Sequence, residues 1–240
     1  NLYLYKSIVG NKYINRGYRL NYDITTTIKS LFAIHNETIN IWTHLLPFFI
    51  NIGIYLQSDN VHTQIFFLST APIFIGSALF HLLLPLINNL YQYHFLLLLD
   101  MLGIVLGVSG IESYLYYKFI NHYSTYFIIF FYFINLVPLI NLFNFNKHVI
   151  DCRNTIIKYL FSVNSIILYL ILNNNTNNYL NNNFLFILLL NLIFIASLIF
   201  NMMLHYPEKI YSNKFDLFFS SHQIWHLVVI FYIYGIFYIT

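Results

Sequence analysis

Two histidines near the end of the chain, His222 and His226, have the residue type and spacing needed to bind a metal ion. They belong to the run Ser-His-Gln-Ile-Trp-His at residues 221–226. Residues four apart on an α-helix lie on one face, about 6 Å apart along the axis, so two imidazoles can converge on one point. The alternative is that each histidine donates a hydrogen bond across a helix interface and binds no metal.

The composition indicates an all-α protein that crosses a membrane several times. Hydrophobic residues make up 59% of the 240 positions, charged residues only 8%, and the chain contains 25 Phe and 22 Tyr. A soluble domain of this size does not need so much apolar surface, whereas a bundle of membrane helices does. Apolar runs near the length of a span predict a seven-transmembrane helix bundle, with spans at about 41–57, 64–86, 94–117, 124–145, 156–172, 184–204 and 218–239.

The basic residues predict the orientation of these spans. If the N-terminus is cytoplasmic, ten of the eleven Lys and Arg residues lie on the inner side and only Lys118 lies outside. We therefore expect a multi-pass protein of the plasma membrane or an endomembrane, with its C-terminus on the opposite side from its N-terminus. The net charge of +3 reflects this insertion pattern, so we expect no nucleic-acid partner.

The remaining sequence divides the chain into two parts. Residues 1–40 contain no long apolar run and are predicted to form a cytoplasmic segment, followed by the transmembrane domain over residues 41–240. We expect the first span to direct insertion. Because residue 1 is Asn, we also expect residues that precede it. The Asn-rich stretch 173–183 predicts a solvated loop, and the single cysteine, Cys152, cannot form an intramolecular disulfide.

Five polar residues from three spans fall at a similar depth near the inner side. Ser77 and His81 lie four apart near the inner end of span two, Asp100 lies about two turns into span three, and His222 and His226 open span seven. Ionisable groups in a membrane are rare and usually serve a function. Their common depth therefore favours one shared site over independent helix contacts.

Three histidines and a carboxylate are the groups that a catalytic zinc site needs. His81, His222 and His226 would supply three nitrogen ligands, a fourth position would be open to water, and Asp100 would orient that water. Iron or copper could bind the same histidines, but zinc is favoured because no redox chemistry is indicated.

Several runs that include these residues resemble the signature motifs of the progestin and adipoQ receptor (PAQR) family, in its adiponectin-receptor-like branch. The resemblance covers nearly the whole chain. Arg16–Arg19 and Pro207-Glu208 also fit. The matching runs are His-Asn-Glu-Thr-Ile-Asn-Ile-Trp-Thr-His-Leu at 35–45, Ser-Ala-Leu-Phe-His at 77–81, Asp-Met-Leu-Gly-Ile at 100–104, Lys-Phe-Asp at 214–216 and Ser-His-Gln-Ile-Trp-His at 221–226.

The resemblance implies a seven-helix fold with a cytoplasmic N-terminus and a zinc ion bound by His81, His222 and His226. It also implies a water near Asp100, and a wider similarity to alkaline ceramidases and to haemolysin-III proteins. The chain departs from the pattern after His81, where it reads Leu-Leu-Leu-Pro at 82–85 and the receptors usually have Cys-His-Ser. The last span also lacks a stretch of small residues and a later histidine. These departures leave the expected zinc ligands intact.

The chemistry that we expect is hydrolysis of a lipid amide such as ceramide or another sphingolipid. Asp100 would position the water or take its proton, and Ser77 would hydrogen-bond the water or the developing oxyanion. The structural alternatives are a helix-to-helix hydrogen bond for Asp100 and helix packing for Ser77. For His44 we expect a bond to a neighbouring helix or to a lipid headgroup, without metal.

Two classes of function follow from this site. The protein is either a zinc-dependent hydrolase inside the membrane or a signalling receptor with a structural zinc, in which an extracellular or lipid ligand shifts the helices. The predicted outer loops are short and offer little surface for a protein hormone. A pore is a third alternative, and the continuous polar faces that it requires do not occur in the predicted spans.

Overall fold

A computed structural model describes residues 11–120, 125–137 and 182–239. Within these ranges the regular structure is helical, with no β-strand. The seven α-helices are α1 (Ile24–Lys29), α2 (Thr38–Gln57), α3 (Val61–Leu83), α4 (Leu90–Ile120), α5 (Thr125–Leu136), α6 (Asn182–Ile199) and α7 (Ser221–Ile239). Short 3-10 helices follow α1 and α3, at Ser30–Phe32 and Leu84–Leu86, and a π-helical turn over Phe200–Leu204 extends α6.

Among the residues that the structure describes, four helical stretches are long and apolar enough to cross a membrane: Thr38–Gln57, Val61–Leu86, Leu90–Phe119 and Ser221–Ile239. Leu185–Ile199 is a shorter apolar helix. The predicted spans one, two, three, six and seven thus each coincide with a helix. Only α5 represents the fourth predicted span, whose residues 138–145 lie outside the described ranges, as does the whole fifth span. Seven spans and the cytoplasmic N-terminus stay predictions.

Local sequence explains where several helices begin and end. Asp23 accepts a hydrogen bond from the Thr26 amide and starts α1, while Asn60 caps α3 in the same way at His62 and Thr63. The π-helical turn after α6 ends at His205, whose φ of 48° is left-handed. His205 is the residue directly after the predicted sixth span, 184–204, so this helix ends where the sequence predicts.

The main contacts pair α3 with α4 and with α2, α6 with α7, and α4 with α5, and α2 also contacts α7. An aromatic cluster fills the bundle around Phe66, Phe67, Phe74 and Tyr114. A second cluster, around Leu84, Leu97 and Val105, joins α3 to α4. Large apolar side chains are exposed on the outside of the helices, as expected for surfaces that contact lipid.

Candidate metal centre

Three imidazoles converge where the first turns of α7 meet the last turns of α3. The Nε2 atom of His222 lies 3.2 Å from the Nε2 atom of His81 and 3.2 Å from that of His226. One ligand atom from each residue lies within 4.8 Å of the others. His81 and His226 are buried and His222 is half-buried. The structure thus brings together the three histidines that the sequence predicts as ligands, and this group could hold a metal ion.

The second nitrogen of each ring, Nδ1, has its own partner. His81 Nδ1 lies 2.8 Å from the Glu37 carboxylate, His222 Nδ1 lies 3.2 Å from the Asn201 amide nitrogen, and His226 Nδ1 lies 3.3 Å from the Thr43 hydroxyl. These contacts fix the ring orientations. They leave the three Nε2 atoms directed at one another, as second contacts do around metal-binding histidines.

Hydrogen bonding among the three rings does not by itself explain why their Nε2 atoms lie so close together. An ionised Glu37 can only accept, so the neutral His81 ring carries its proton on Nδ1 and presents a lone pair at Nε2. His222 Nε2 can then donate to His81 or accept from His226, but it cannot do both with one proton. A tetrahedral ion with Zn–N distances of about 2.0–2.1 Å places its nitrogen ligands roughly 3.3 Å apart. The two separations of 3.2 Å, from His222 to His81 and from His222 to His226, fit that geometry.

Glu37 is the supporting residue that sequence reasoning missed. In the sequence it belongs only to the motif run 35–45, and in the structure the buried Glu37 contacts His81, 44 residues away. Asn36 and Asn40 each donate to its carboxylate, at 3.0 and 2.6 Å. Burial raises the pKa of Glu37, but the hydrogen bonds from His81 and Asn40 and the charge of Arg19 outweigh burial and lower the pKa to about 2. The group is therefore a carboxylate at neutral pH.

The start of α7 depends on Glu208, which sequence reasoning matched to a family motif without giving it a role. Its carboxylate accepts from the Ser221 amide at 2.8 Å and from the Ser221 hydroxyl, and Asn11 donates to it at 2.9 Å. These bonds satisfy an amide at the helix N-terminus, where no intrahelical partner exists. Since His222 follows Ser221 directly, Glu208 helps to fix the position of this predicted ligand.

Arg19 stabilises the C-terminal end of α3, as Glu208 stabilises the start of α7. Its buried guanidinium donates to the main-chain oxygens of His81 at 2.6 Å and Leu82 at 3.2 Å, and to the Ser30 hydroxyl at 2.9 Å. The last carbonyls of a helix have no intrahelical donor, so a buried helix end needs such partners. The segment before α1 therefore holds the helix end that carries His81.

Asp100 and Ser77 line the same cavity as the three histidines. Ser77 is buried one turn before His81, and Asp100 is half-buried on the facing side of α4. Gly76 allows this approach, because a Cβ at that position would lie 3.0 Å from the Leu99 carbonyl oxygen and 3.3 Å from the Asp100 Cα atom. The five residues predicted from depth in the membrane thus surround one space.

His44 lies beside the metal centre and not at the surface. Its ring centre is 3.9 Å from that of His226 and 5.4 Å from that of Phe74, and the residue is buried. Its ring therefore packs against the neighbouring helices α7 and α3, while the expected bond to a helix or a headgroup stays a prediction. Its Nδ1 atom has no hydrogen-bond partner among the residues that the structure describes.

The cavity has a volume of about 220 Å³ and runs from the histidines into an apolar region. A single water needs roughly 10–15 Å³ of such space, so the cavity can hold more than one water. Its polar end contains the histidines, Asp100 and Ser77. Its apolar end is lined by Val108, Ile111, Val229, Tyr232 and Ile233. One space therefore offers polar groups for chemistry and a slot for a hydrocarbon chain.

Comparison with known proteins identifies the family of this chain. The family model described as Haemolysin-III related matches residues 32–236. The adiponectin receptor protein of Drosophila melanogaster is 27% identical over 245 aligned positions, which cover 94% of this chain and 54% of the relative. An uncharacterized protein of Schizosaccharomyces pombe is 28% identical over 245 positions, which cover 92% of this chain and 54% of that protein. Progestin and adipoQ receptor family member 3 of Homo sapiens is 50% identical over 60 residues, covering 22% and 19%.

The chain spans about half the length of the first two of these curated relatives. The family match covers most of the chain, including all five residues predicted for the site, and the resemblance seen in the sequence motifs is confirmed. The chain belongs to the Haemolysin-III related family of integral membrane proteins, and the relatives that it matches include members of the progestin and adipoQ receptor (PAQR) family.

Proposed function

We propose that the protein is a zinc-dependent hydrolase that cleaves the amide bond of a ceramide-like lipid inside the membrane. The observation that carries the proposal is the convergence of three Nε2 atoms beside Asp100, in a cavity that continues between apolar side chains. Three histidine ligands with room for a fourth group are typical of catalytic zinc sites, whereas structural sites use four protein ligands.

The donor set favours zinc among the common metals. All three candidate ligands are imidazole nitrogens, which suit zinc, copper, iron and nickel, and the group includes no cysteine. The Glu37 contact to His81 corresponds to the carboxylate–histidine pairs that accompany zinc sites. Zinc, when bound, acidifies a water molecule, so that a nucleophile is available at neutral pH.

The side chains around the cavity would carry out the remaining steps. Asp100 orients the attacking water and accepts its proton, then returns a proton to the nitrogen of the leaving amine. The Ser77 hydroxyl donates a hydrogen bond to the carbonyl oxygen as negative charge develops there. The apolar residues Val108, Ile111 and Val229 exclude water from the acyl chain. The products are a fatty acid and a sphingoid base.

Asp100→Asn separates metal binding from hydrolysis. Three histidines and water complete the ligand set, so the variant should keep its zinc. Incubation of purified protein with ceramide, with detection of free sphingoid base and fatty acid, should show a rate at least about 100-fold lower than in the parent. Asp59→Asn changes an exposed acid and should behave like the parent. Equal hydrolysis in Asp100→Asn and the parent would remove Asp100 from the mechanism.

The second candidate is a signalling receptor in which the metal is structural. The histidines come from distant parts of the chain, since His81 and His222 are 141 residues apart, and a bound metal would therefore link α3 to α7. This arrangement favours a structural role. An extracellular or lipid ligand would then shift these helices. This alternative gives no hydrolysis in the parent, together with a loss of thermal stability on chelation in parent and Asp100→Asn alike.

A further inference from the structure

A second polar cluster lies inside the helical bundle, away from the histidines. It is centred on Glu112 of α4 and Asn135 of α5, and both side chains are fully buried. Glu112 follows Asp100 by twelve residues, which places it roughly 18 Å farther along the helix. The metal centre does not use this cluster, so its role must be explained separately.

The hydrogen bonds of the pair leave two acceptor atoms without partners. Asn135 Nδ2 donates to Glu112 Oε2 at 2.6 Å and to the Ser109 hydroxyl at 3.0 Å. The Ser109 hydroxyl itself donates to the Val105 main-chain oxygen at 2.8 Å, so it accepts from Asn135. Both amide protons are then used, which fixes the amide orientation. Glu112 Oε1 and Asn135 Oδ1 are buried and have no hydrogen-bond partner within the described ranges.

We propose that Glu112 and Asn135 form a binding site for one monovalent cation, Na⁺ or H⁺. An ionised carboxylate in an apolar interior is costly unless a positive charge neutralises it, and in the described part of the chain no basic side chain pairs with Glu112. One positive charge at Glu112 Oε1 restores neutrality and gives that buried oxygen a partner. A divalent ion would leave an excess charge in the bundle.

The chemistry of the surrounding groups agrees with such an ion. The donors are oxygens, which suit hard cations and not the soft metals that prefer sulfur. From α3, Ser69 faces the same level of α4, because a Cβ at Gly110 would overlap the Ser69 side chain and would lie 3.7 Å from the Tyr132 hydroxyl of α5. Tyr132 also hydrogen-bonds to Ser69. Of these facing groups, only the Tyr132 phenol titrates, and it is uncharged when protonated.

Thermal unfolding of the full chain in phosphatidylcholine nanodiscs tests the proposal in two arms. In the first, NaCl replaces choline chloride at constant ionic strength and mildly alkaline pH. In the second, the pH falls to mildly acidic values in choline chloride. We expect the parent to gain about 5 °C in Tm in at least one arm. Glu112→Gln should lose that gain, whereas Asp59→Asn, an exposed acid-to-amide control, should keep it.

Carbodiimide labelling of the parent gives a second readout that needs no variant. An apolar carbodiimide reacts with a protonated carboxyl in an apolar site, and mass spectrometry of the peptide that contains Glu112 measures the product. Labelling that Na⁺ suppresses assigns a sodium site, and labelling that only alkaline pH suppresses assigns a proton site. The proposal is overturned if Glu112 is not labelled and the parent responds to neither cation more than Glu112→Gln does. Because no histidine of the metal centre is altered, this result is independent of the proposed hydrolysis.

Discussion

At the scale of single residues, the metal centre depends on which nitrogen of each histidine is free. Glu37 decides this for His81, because its carboxylate accepts the Nδ1 proton at 2.8 Å and directs Nε2 toward His222 and His226. Asn36 and Asn40 hold the carboxylate in place. A residue outside the histidine cluster would thus tune how well His81 binds a metal ion.

Glu37→Gln should weaken zinc binding without abolishing it. The amide removes the charge that increases the basicity of the ring, and loss of such a partner typically lowers metal affinity about 10- to 100-fold. Competition with a fluorescent zinc chelator measures the affinity, with Asp59→Asn as the control that changes an exposed acid. An unchanged affinity in Glu37→Gln would mean that Glu37 serves only the local fold.

Sequence reasoning found the histidine cluster but not its supporting contacts, for a physical reason. The i, i+4 spacing of His222 and His226 is a local property of a helix, and membrane depth adds His81, Ser77 and Asp100. The Glu37 contact to His81 depends on how the segment before α2 folds across the end of α3. That contact is tertiary, and the one local signal was a charged residue entering an apolar helix.

At the scale of helices, the close approach of α3 and α4 brings Asp100 to the metal centre. Gly103 marks the contact, since a Cβ there would overlap the Pro72 main-chain oxygen and would lie 2.8 Å from its carbonyl carbon. Both atoms belong to the backbone, which cannot move aside as a side chain can. Apolar runs predict that these helices exist, but not which face of one meets the other.

Gly103→Ala should therefore destabilise the protein, while Gly53→Ala should not. A methyl group at Gly53 would have no atom within 4 Å, so that substitution gains helix propensity and should leave Tm unchanged or slightly raised. At Gly103 the added methyl forces the helices apart, at a cost of about 1–3 kcal/mol. Thermal unfolding of both variants in nanodiscs measures the difference. Equal Tm values would show that α3 and α4 do not pack as closely as described.

At the scale of the whole molecule, the segment before α1 and the segment between α6 and α7 close the same end of the bundle. Asn11 and Arg16 of the first contact Glu208 and Asp216 of the second, and Arg19 reaches the end of α3. The basic residues of both segments are the ones that the charge pattern assigns to the cytoplasmic side. We therefore expect the metal centre to lie in the cytoplasmic half of the membrane.

Protease protection in sealed vesicles tests this orientation. With an N-terminus in the cytosol and seven spans, a tag at the N-terminus should be cleaved from the cytosolic side and a tag at the C-terminus should be protected. A C-terminal tag that is also cleaved from the cytosolic side would remove one span from the prediction. The fifth, over residues 156–172, would be reconsidered first, because Lys158 lies near its start and the Asn-rich stretch 173–183 follows its end.

The measurement that tests the central claim most directly is the zinc content of the purified protein and its histidine variants. Elemental analysis should give about one zinc per chain in the parent, because three imidazoles converge on one point. His81→Ala, His222→Ala and His226→Ala should each lower the occupancy. His62 lies outside this cluster and stacks on Tyr117, so His62→Ala should leave the zinc occupancy unchanged. Full zinc occupancy in all three cluster variants would contradict the assignment of the metal centre.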